Sequence, residues 1–343
     1  MPSRAGSWTG ILLALVAMEL VVRQVYHVPV AFEPGFGKII RPGATVRWWK
    51  EGHGESHWTR FGLRGREVPD LTKSSVLVLG NSFTEALQVD DDEVFTTILQ
   101  ERLQREGVAT TVLNAGRSGA SAADYAALAS RNKGFFRPRW TIVQITPDDL
   151  GALAWVRGRN HFAYDESGRL VARARPVSDG GRLHALLAPW VNRVMLLVYG
   201  TYRIEEFKDA AAAEPPLFRA ASAGAAPATT ASRDAHPIEA ELDLIAASYD
   251  RRVTFLFIST FDLRSPLVAD GTTETRFEAH CREASLSCVN LRPGYPELAR
   301  RGLSPFGFGN SGFNNGHLNE EGHRLAAGAL SAELERLASS GLF

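Results

Sequence analysis

From Ser75 onward, short apolar runs alternate with longer segments whose apolar residues recur every three or four positions. Ser75–Leu79 reads Ser-Val-Leu-Val-Leu before a glycine, the pattern of a strand covered on both faces. Residues 92–106 place Val94, Phe95, Ile98, Leu99 and Leu103 on one helical face, with acids at the start, where the helix dipole favours them. The same reading predicts strands over 110–113, 140–146, 253–259 and 288–291. It predicts helices over 121–131, 238–249, 273–284 and 320–338. Alternating strands and helices imply an α/β domain with a mainly parallel five-stranded sheet between helical layers. In open sheets of this kind ligands gather at the carboxyl ends of the strands. Those ends are Gly80–Thr84, Asn114–Gly119 and Pro147–Asp149.

Other segments break the rhythm. Residues 31–70 are rich in Pro, Gly, Trp and Arg without sustained periodicity and read as an extended lead-in packing on a domain that spans 71–343. Residues 151–180 read as an irregular excursion with a small hairpin around Asp165-Glu166-Ser167-Gly168. Residues 183–207 read as a helical stretch interrupted by Pro189. Residues 210–235 are dominated by Ala with Pro, Ser and Thr, too little apolar bulk for a core, and read as a mobile surface insertion.

Trp8–Val22 is apolar except for Thr9, Gly10 and Glu19, and Glu19 stands four residues before Arg23. A spanning helix takes about 20 apolar residues, so the run is short unless it continues through Val25 and Tyr26. Ala14 and Ala17 lack the spacing of a signal-peptidase site. The segment 1–30 is therefore expected to be an uncleaved membrane anchor. Basic residues on both sides leave its orientation open.

Composition excludes more than it identifies. The 343 residues are 45% hydrophobic and 22% charged with a formal net charge of +0, so no global field argues for nucleic acid as a partner. Cys281 and Cys288 are seven residues apart, which matches no zinc signature. They read as two small buried thiols, or as a disulfide if the domain lies in an oxidising compartment. Oligomeric state is not legible.

Four short blocks carry candidate chemistry. Gly80-Asn81-Ser82-Phe83-Thr84 follows the first strand, where a tight strand-to-helix turn exposes a hydroxyl beside backbone N–H groups. Asn314-Asn315-Gly316-His317-Leu318-Asn319 precedes the last helix, in a loop where backbone geometry places the histidine. Gly116 and the pair Asp148-Asp149 lie at two further strand ends. Each has a plain structural reading as well: turn hydrogen bonds for Asn81 and Ser82, a capping histidine, a turn glycine, capping aspartates. His323, inside the last helix, reads as structural.

Order and spacing together resemble the SGNH (GDSL-like) hydrolases, most of all the membrane-anchored members that accompany bacterial exopolysaccharide genes. The first block of that family is Gly-Asp-Ser and reads Gly80-Asn81-Ser82 here. The glycine after the second strand is matched by Gly116, and Gly-x-Asn-Asp by Thr146-Pro147-Asp148-Asp149. The Asp-His block before the last helix is matched by Asn314-Asn315 and His317. The likeness also takes in the Asp90 segment and Gly62-Leu63-Arg64-Gly65, and covers nearly the whole chain apart from the Ala-rich insertion.

The resemblance implies a three-layer flavodoxin-like fold with Ser82 as nucleophile, His317 as base and Asn315 (or Asn314) orienting the imidazole. Ser82, Gly116 and Asp148 would form the oxyanion hole, with no cofactor and no metal. Three departures weaken that expectation. Asn81 replaces an aspartate in the turn and is tolerable there. Asn315 replaces the orienting acid, an exchange worth on the order of 10⁴ in rate in a serine triad. Asp148 replaces an oxyanion donor worth about 10²–10³. The expected function is a serine esterase or acyl transferase on O-acyl esters, O-acetyl above all, of a glycan, membrane-anchored with its catalytic domain outside the cytoplasm. The alternative is a catalytically weakened or inactive scaffold in polysaccharide assembly. Trp48, Trp49 and Trp58 stand as candidates for a sugar groove or for packing.

Overall fold

The computed structural model describes residues 4–25, 30–33, 37–68, 71, 75–108, 110–151, 159–174, 194, 196, 237–262, 264–266 and 272–343. They belong to two compact units, Met1–Arg41 with Pro176–Ala231 and Pro42–Arg175 with Ser232–Phe343.

In the larger unit five strands form the central sheet: β5 (Ser75–Leu79), β6 (Thr111–Asn114), β7 (Trp140–Ile145), β10 (Val253–Phe257) and β11 (Ser287–Asn290). Their order is β11-β10-β7-β5-β6 and every pairing is parallel. Strands β5, β7 and β10 are buried along their whole length, in keeping with their largely apolar sequences. Alternate side chains feed two cores. Leu77, Leu79, Val143, Ile145, Phe255 and Phe257 pack on one face beneath helices α4 (Ala122–Ala127), α6 (Ile238–Ser248) and α7 (Thr272–Glu283). Val76, Val78, Ile142 and Leu256 pack on the other beneath α3 (Phe95–Arg105), α8 (Tyr295–Arg300) and α9 (Glu320–Ser339). This is the three-layer α/β arrangement expected.

The chain leaves β5 for β6 on one side and later returns to β7 on the other, so the strand order reverses at β5. The crevice beyond the carboxyl end of such a strand is where open α/β sheets bind ligands. Ser82 begins the short helix α2 (Ser82–Glu85) directly after it.

Several expectations need correction. The single helix over 121–131 is two, α4 and α5 (Ala129–Phe136), meeting at Leu128, whose N–H bonds back to both Ala126 and Asp124. The lead-in is not extended. It contains the antiparallel hairpins β1 (Val30–Glu33) with β2 (Gly37–Ile40), in the smaller unit, and β3 (Thr45–Trp48) with β4 (Gly54–His57), in the larger. Short strands of mixed composition, such as Thr-Val-Arg-Trp and Gly-Glu-Ser-His, carry no apolar run for the sequence reading to register. The hairpin expected near Asp165 forms as β8 (Asn160–Tyr164) and β9 (Leu170–Ala174). Cys281 and Cys288 are joined in a disulfide between α7 and β11 rather than standing as two thiols, because the turn at Ser285 folds the strand back onto the helix end.

In the smaller unit, helix α1 (Arg4–Val25) occupies the segment expected to be an anchor. Among the described residues no helix is long and apolar enough to cross a membrane. Glu19 and Arg23 interrupt the apolar run near its end, and the Glu19 carboxylate accepts the Leu196 N–H at 2.7 Å. The helical stretch expected over 183–207, residues 194 and 196 apart, and the Ala-rich insertion at 210–235 lie outside the described residues.

Candidate functional site

The Ser82 turn is held by its neighbours on the sheet. The Asn81 side chain accepts the Phe83 N–H at 3.0 Å and donates to Asp149 Oδ2 at 2.9 Å, while the Asn81 N–H donates to Gln144 Oε1 at 3.1 Å. Asp149, fully buried, also accepts the Thr146 N–H and hydroxyl, each at 2.8 Å. The turn after β7 is thus tied to the turn after β5. Gly80 is obligatory, since a Cβ would stand 1.9 Å from Thr84 Oγ1 and 2.6 Å from Gln144 Oε1. Beyond α2, the buried Arg64 guanidinium donates to the carbonyls of Glu85, Ala86 and Val89 and pairs with Asp91 at 3.2 Å. It satisfies carbonyls left open at the end of α2, at Glu85 and Ala86, and one in the segment that follows, at Val89.

His317 reaches the same place from the far end of the chain. Asn319 caps α9 by accepting the N–H groups of Glu321 and Gly322, both at 3.1 Å, and its amide donates to the carbonyls of Ser304 and Gly307. The Gly307 N–H donates to the His317 carbonyl at 3.0 Å. These bonds fix the histidine backbone two residues ahead of the helix cap. Its Nε2 lies 2.8 Å from Ser82 Oγ, and its ring centroid is 5.0 Å from that of Phe83.

The other ring nitrogen meets a residue that the sequence reading did not select. Glu51 Oε2 lies 2.6 Å from His317 Nδ1, and Glu51 Oε1 accepts the His317 N–H at 2.7 Å. Burial raises the Glu51 carboxyl, but the side-chain and backbone hydrogen bonds from His317 outweigh it, so the group sits below the ordinary glutamate value. An ionised carboxylate only accepts, so Nδ1 carries the proton and Nε2 is left to accept from the Ser82 hydroxyl. The three side chains form one directed relay, Ser82 to His317 to Glu51.

Glu51 comes from the loop 49–53 that joins β3 to β4. That hairpin docks through backbone groups: the Glu55 N–H donates to Asp90 at 2.7 Å and the His57 N–H to Asp91 at 3.0 Å. Gly54 lies so close to the 87–89 segment that a Cβ would fall 2.4 Å from the Leu87 carbonyl oxygen. Gly316 (φ +91) is equally constrained, its imagined Cβ lying 2.0 Å from Glu51 Oε1.

Asn315, expected to orient the ring, is exposed and does not take that place. Asn314 (φ 62) is committed elsewhere, accepting from Ser304 Oγ at 3.0 Å and donating to the Phe261 carbonyl at 3.2 Å. A residue so close to His317 in a tight turn is directed away from the ring. The Gly116 N–H, expected in the oxyanion hole, donates to Asn114 Oδ1 at 2.9 Å. Gly116 is required for a different reason: a Cβ would meet the Glu85 nitrogen at 2.3 Å. The Ser82 N–H makes no hydrogen bond among the described residues. Asp148 is half-buried in the 3-10 turn Pro147–Asp149.

His323 is fully buried and stacks on Phe95, and burial lowers it to about 3, so it stays neutral away from the relay. Trp58 is buried, Trp48 half-buried, and Trp49, two residues before Glu51, is 67% exposed. Among the described residues no group of three or more His, Cys, Asp or Glu side chains is arranged to hold a metal ion.

No protein family and no curated protein matches the chain at the sequence level. Among solved structures it is similar to TesA, at 14% identity and a TM-score of 0.40, over 77% of this chain and 99% of that one. It is similar to a two-domain esterase active on acetylated mannans, at 13% and 0.39, over 78% and 50% of the two chains. It is also similar to a member of the lipolytic G-D-S-L family from Veillonella parvula, at 13% and 0.38, over 76% and 97%.

Proposed function

We propose that the chain is an SGNH-type serine esterase or acyl transferase acting on O-acyl, above all O-acetyl, esters of a glycan. The observation that carries this reading is the unbroken relay, 2.8 Å from Ser82 Oγ to His317 Nε2 and 2.6 Å from His317 Nδ1 to Glu51 Oε2, at the carboxyl end of the switch-point strand. Ser82 Oγ attacks the acyl carbon and its proton passes to Nε2, while Glu51 stays ionised against the imidazolium. The ester C–O bond then breaks, and the imidazolium returns the proton to the departing sugar oxygen. Water, or a second hydroxyl in a transferase, gives its proton to His317 and attacks the acyl carbon; the bond to Ser82 Oγ then breaks and the imidazolium returns the proton to that oxygen. In this reading the Ser82 N–H, which makes no hydrogen bond among the described residues, donates to the oxyanion. Gly116 joins it once its N–H exchanges Asn114 for substrate.

The glycan half of the proposal rests on the motif resemblance, with the exposed Trp49 beside Glu51 as a surface on which a sugar ring stacks. We place the chain in the cell envelope. Two features support this: the Cys281–Cys288 disulfide, which suits an oxidising compartment, and the exposed apolar side chains of α1 (Leu12 and Leu13 among them), which suit a membrane surface.

A second reading, a non-catalytic scaffold, is favoured by the carboxyl of Asp148 at the expected oxyanion position and by the engaged Gly116 N–H. Labelling with a serine-reactive fluorophosphonate, together with turnover of p-nitrophenyl acetate, separates the two. Signal from the wild type that disappears in Ser82→Ala upholds the esterase. Wild type and Ser82→Ala both silent would sink it and leave the scaffold.

A further inference from the structure

The Glu51 turn is held against the His317 loop by one side chain whose own chemistry is inert. Asn310 Oδ1 accepts the Gly52 N–H at 2.8 Å, and Asn310 Nδ2 donates to the carbonyls of Trp49 and Gly52, each at 3.0 Å. Trp49 and Gly52 bracket Glu51 in the chain. The amide uses its acceptor and both of its donor hydrogens on the backbone of one short turn. The same residue sits in the loop closed by the Gly307–His317 bond, and so shares a rigid frame with the histidine. Beside it, Phe308 packs on Gly52 so closely that a Cβ there would fall 2.9 Å from its ring.

We propose that Asn310 is a positioning residue, which sets the distance from Glu51 to the imidazole by splinting the 49–53 turn to the loop that carries His317. The proposal rests on the relay reading above. Without the splint, the loop 49–53 is fixed at its ends by the Trp48–Gly54 pairing, and the carboxylate between them depends on its own two bonds to His317. Displacement of a reacting group by about 1 Å is enough to cost on the order of 10² in rate. Asp in place of Asn keeps the acceptor for Gly52 and loses both donations, so it tests the two halves of the amide separately.

The experiment uses the full chain as wild type, Asn310→Ala and Asn310→Asp. It reads kcat and KM on p-nitrophenyl acetate, thermal unfolding, and the far-downfield proton resonance of an imidazole N–H donated to a carboxylate. Expected for Asn310→Ala are a fall in kcat of about 10²-fold, a KM within about twofold, and loss or broadening of the His317 resonance in a folded protein; Asn310→Asp falls between. Wild-type kcat and resonance in a folded Asn310→Ala overturn the proposal, as does a loss of rate with the resonance intact. If Asn310→Ala does not fold, an unchanged resonance in Asn310→Asp overturns it. The resonance needs no substrate. A wild type that shows the signal without turnover, and loses it in Asn310→Ala, upholds the splint and ends the esterase reading.

Discussion

Glu51 Oε2 lies 2.6 Å from His317 Nδ1, although 266 residues separate the two in the chain. The acid of the relay therefore enters ahead of Ser82 in sequence, on a hairpin outside the central sheet. The asparagines beside the histidine are free of that duty.

This arrangement predicts opposite outcomes for two substitutions. Glu51→Gln retains size but offers no negative charge to the imidazolium, and kcat for an activated ester should fall about 10³–10⁴-fold. Asn315→Ala should leave kcat within about threefold. Steady-state kinetics of both variants decide the matter, and the reverse ranking would return the orienting role to Asn315.

Asn81 is explained by Asp149, whose buried carboxylate accepts its amide at 2.9 Å. Asn81→Asp would set two carboxylates face to face, and one of them must take up a proton or be driven apart. The variant should lose about 3 kcal/mol at pH 8, where the second carboxylate ionises, and less at pH 5. Unfolding curves at the two pH values test this, and wild-type stability at pH 8 would refute it.

Gly316→Ala inserts a methyl at the position now taken by Glu51 Oε1, at a backbone φ of +91. Activity should drop by about 10²-fold or more as the carboxylate is pushed off the ring. Gly134→Ala, in α5 with open space around it, should instead stabilise the fold by about 0.5–1 kcal/mol. Melting temperatures and rates of the pair separate displacement of Glu51 from any general intolerance of alanine.

Glu241 is on the buried face of α6, where burial raises it from 4.5 to about 7 despite the hydrogen bond from the Gly151 N–H at 2.9 Å. Between those values the folded chain holds a proton that the unfolded chain has released. Stability therefore declines as pH rises through that window. Glu241→Gln keeps the acceptor and removes the decline, so it should be more stable than wild type at pH 8 by on the order of 2–3 kcal/mol, with little difference at pH 4. Denaturant titrations across this range check the slope; a wild type as flat as the variant would contradict it.

The parallel sheet was legible because its buried strands are written as short, largely apolar runs, and β5 matched its predicted limits at Ser75 and Leu79. Ser82 and His317 were legible because a strand end and a helix cap confine them to short glycine- and asparagine-rich blocks. Glu51 left no comparable mark. It sits in Trp-Trp-Lys-Glu-Gly-His-Gly, between two short strands of mixed composition, and its only local sign is the pair of glycines that follow it, Gly52 and Gly54. Those glycines are needed for the close approach of the hairpin to the 87–89 segment, a contact that no local pattern encodes. The roles of Arg64, Asp90 and Asp91 were hidden in the same way, since each acts on backbone groups of another segment.

An imidazole has two working edges, and only the one turned to the serine is tied to a fixed address in this architecture. Any stretch of chain that passes behind the ring can supply the countercharge, so the motif around a histidine is a poor witness to whether its partner survives. For a divergent sequence of this kind, an acid missing from its customary place is a reason to search the opposite wall of the cleft before declaring the site extinct.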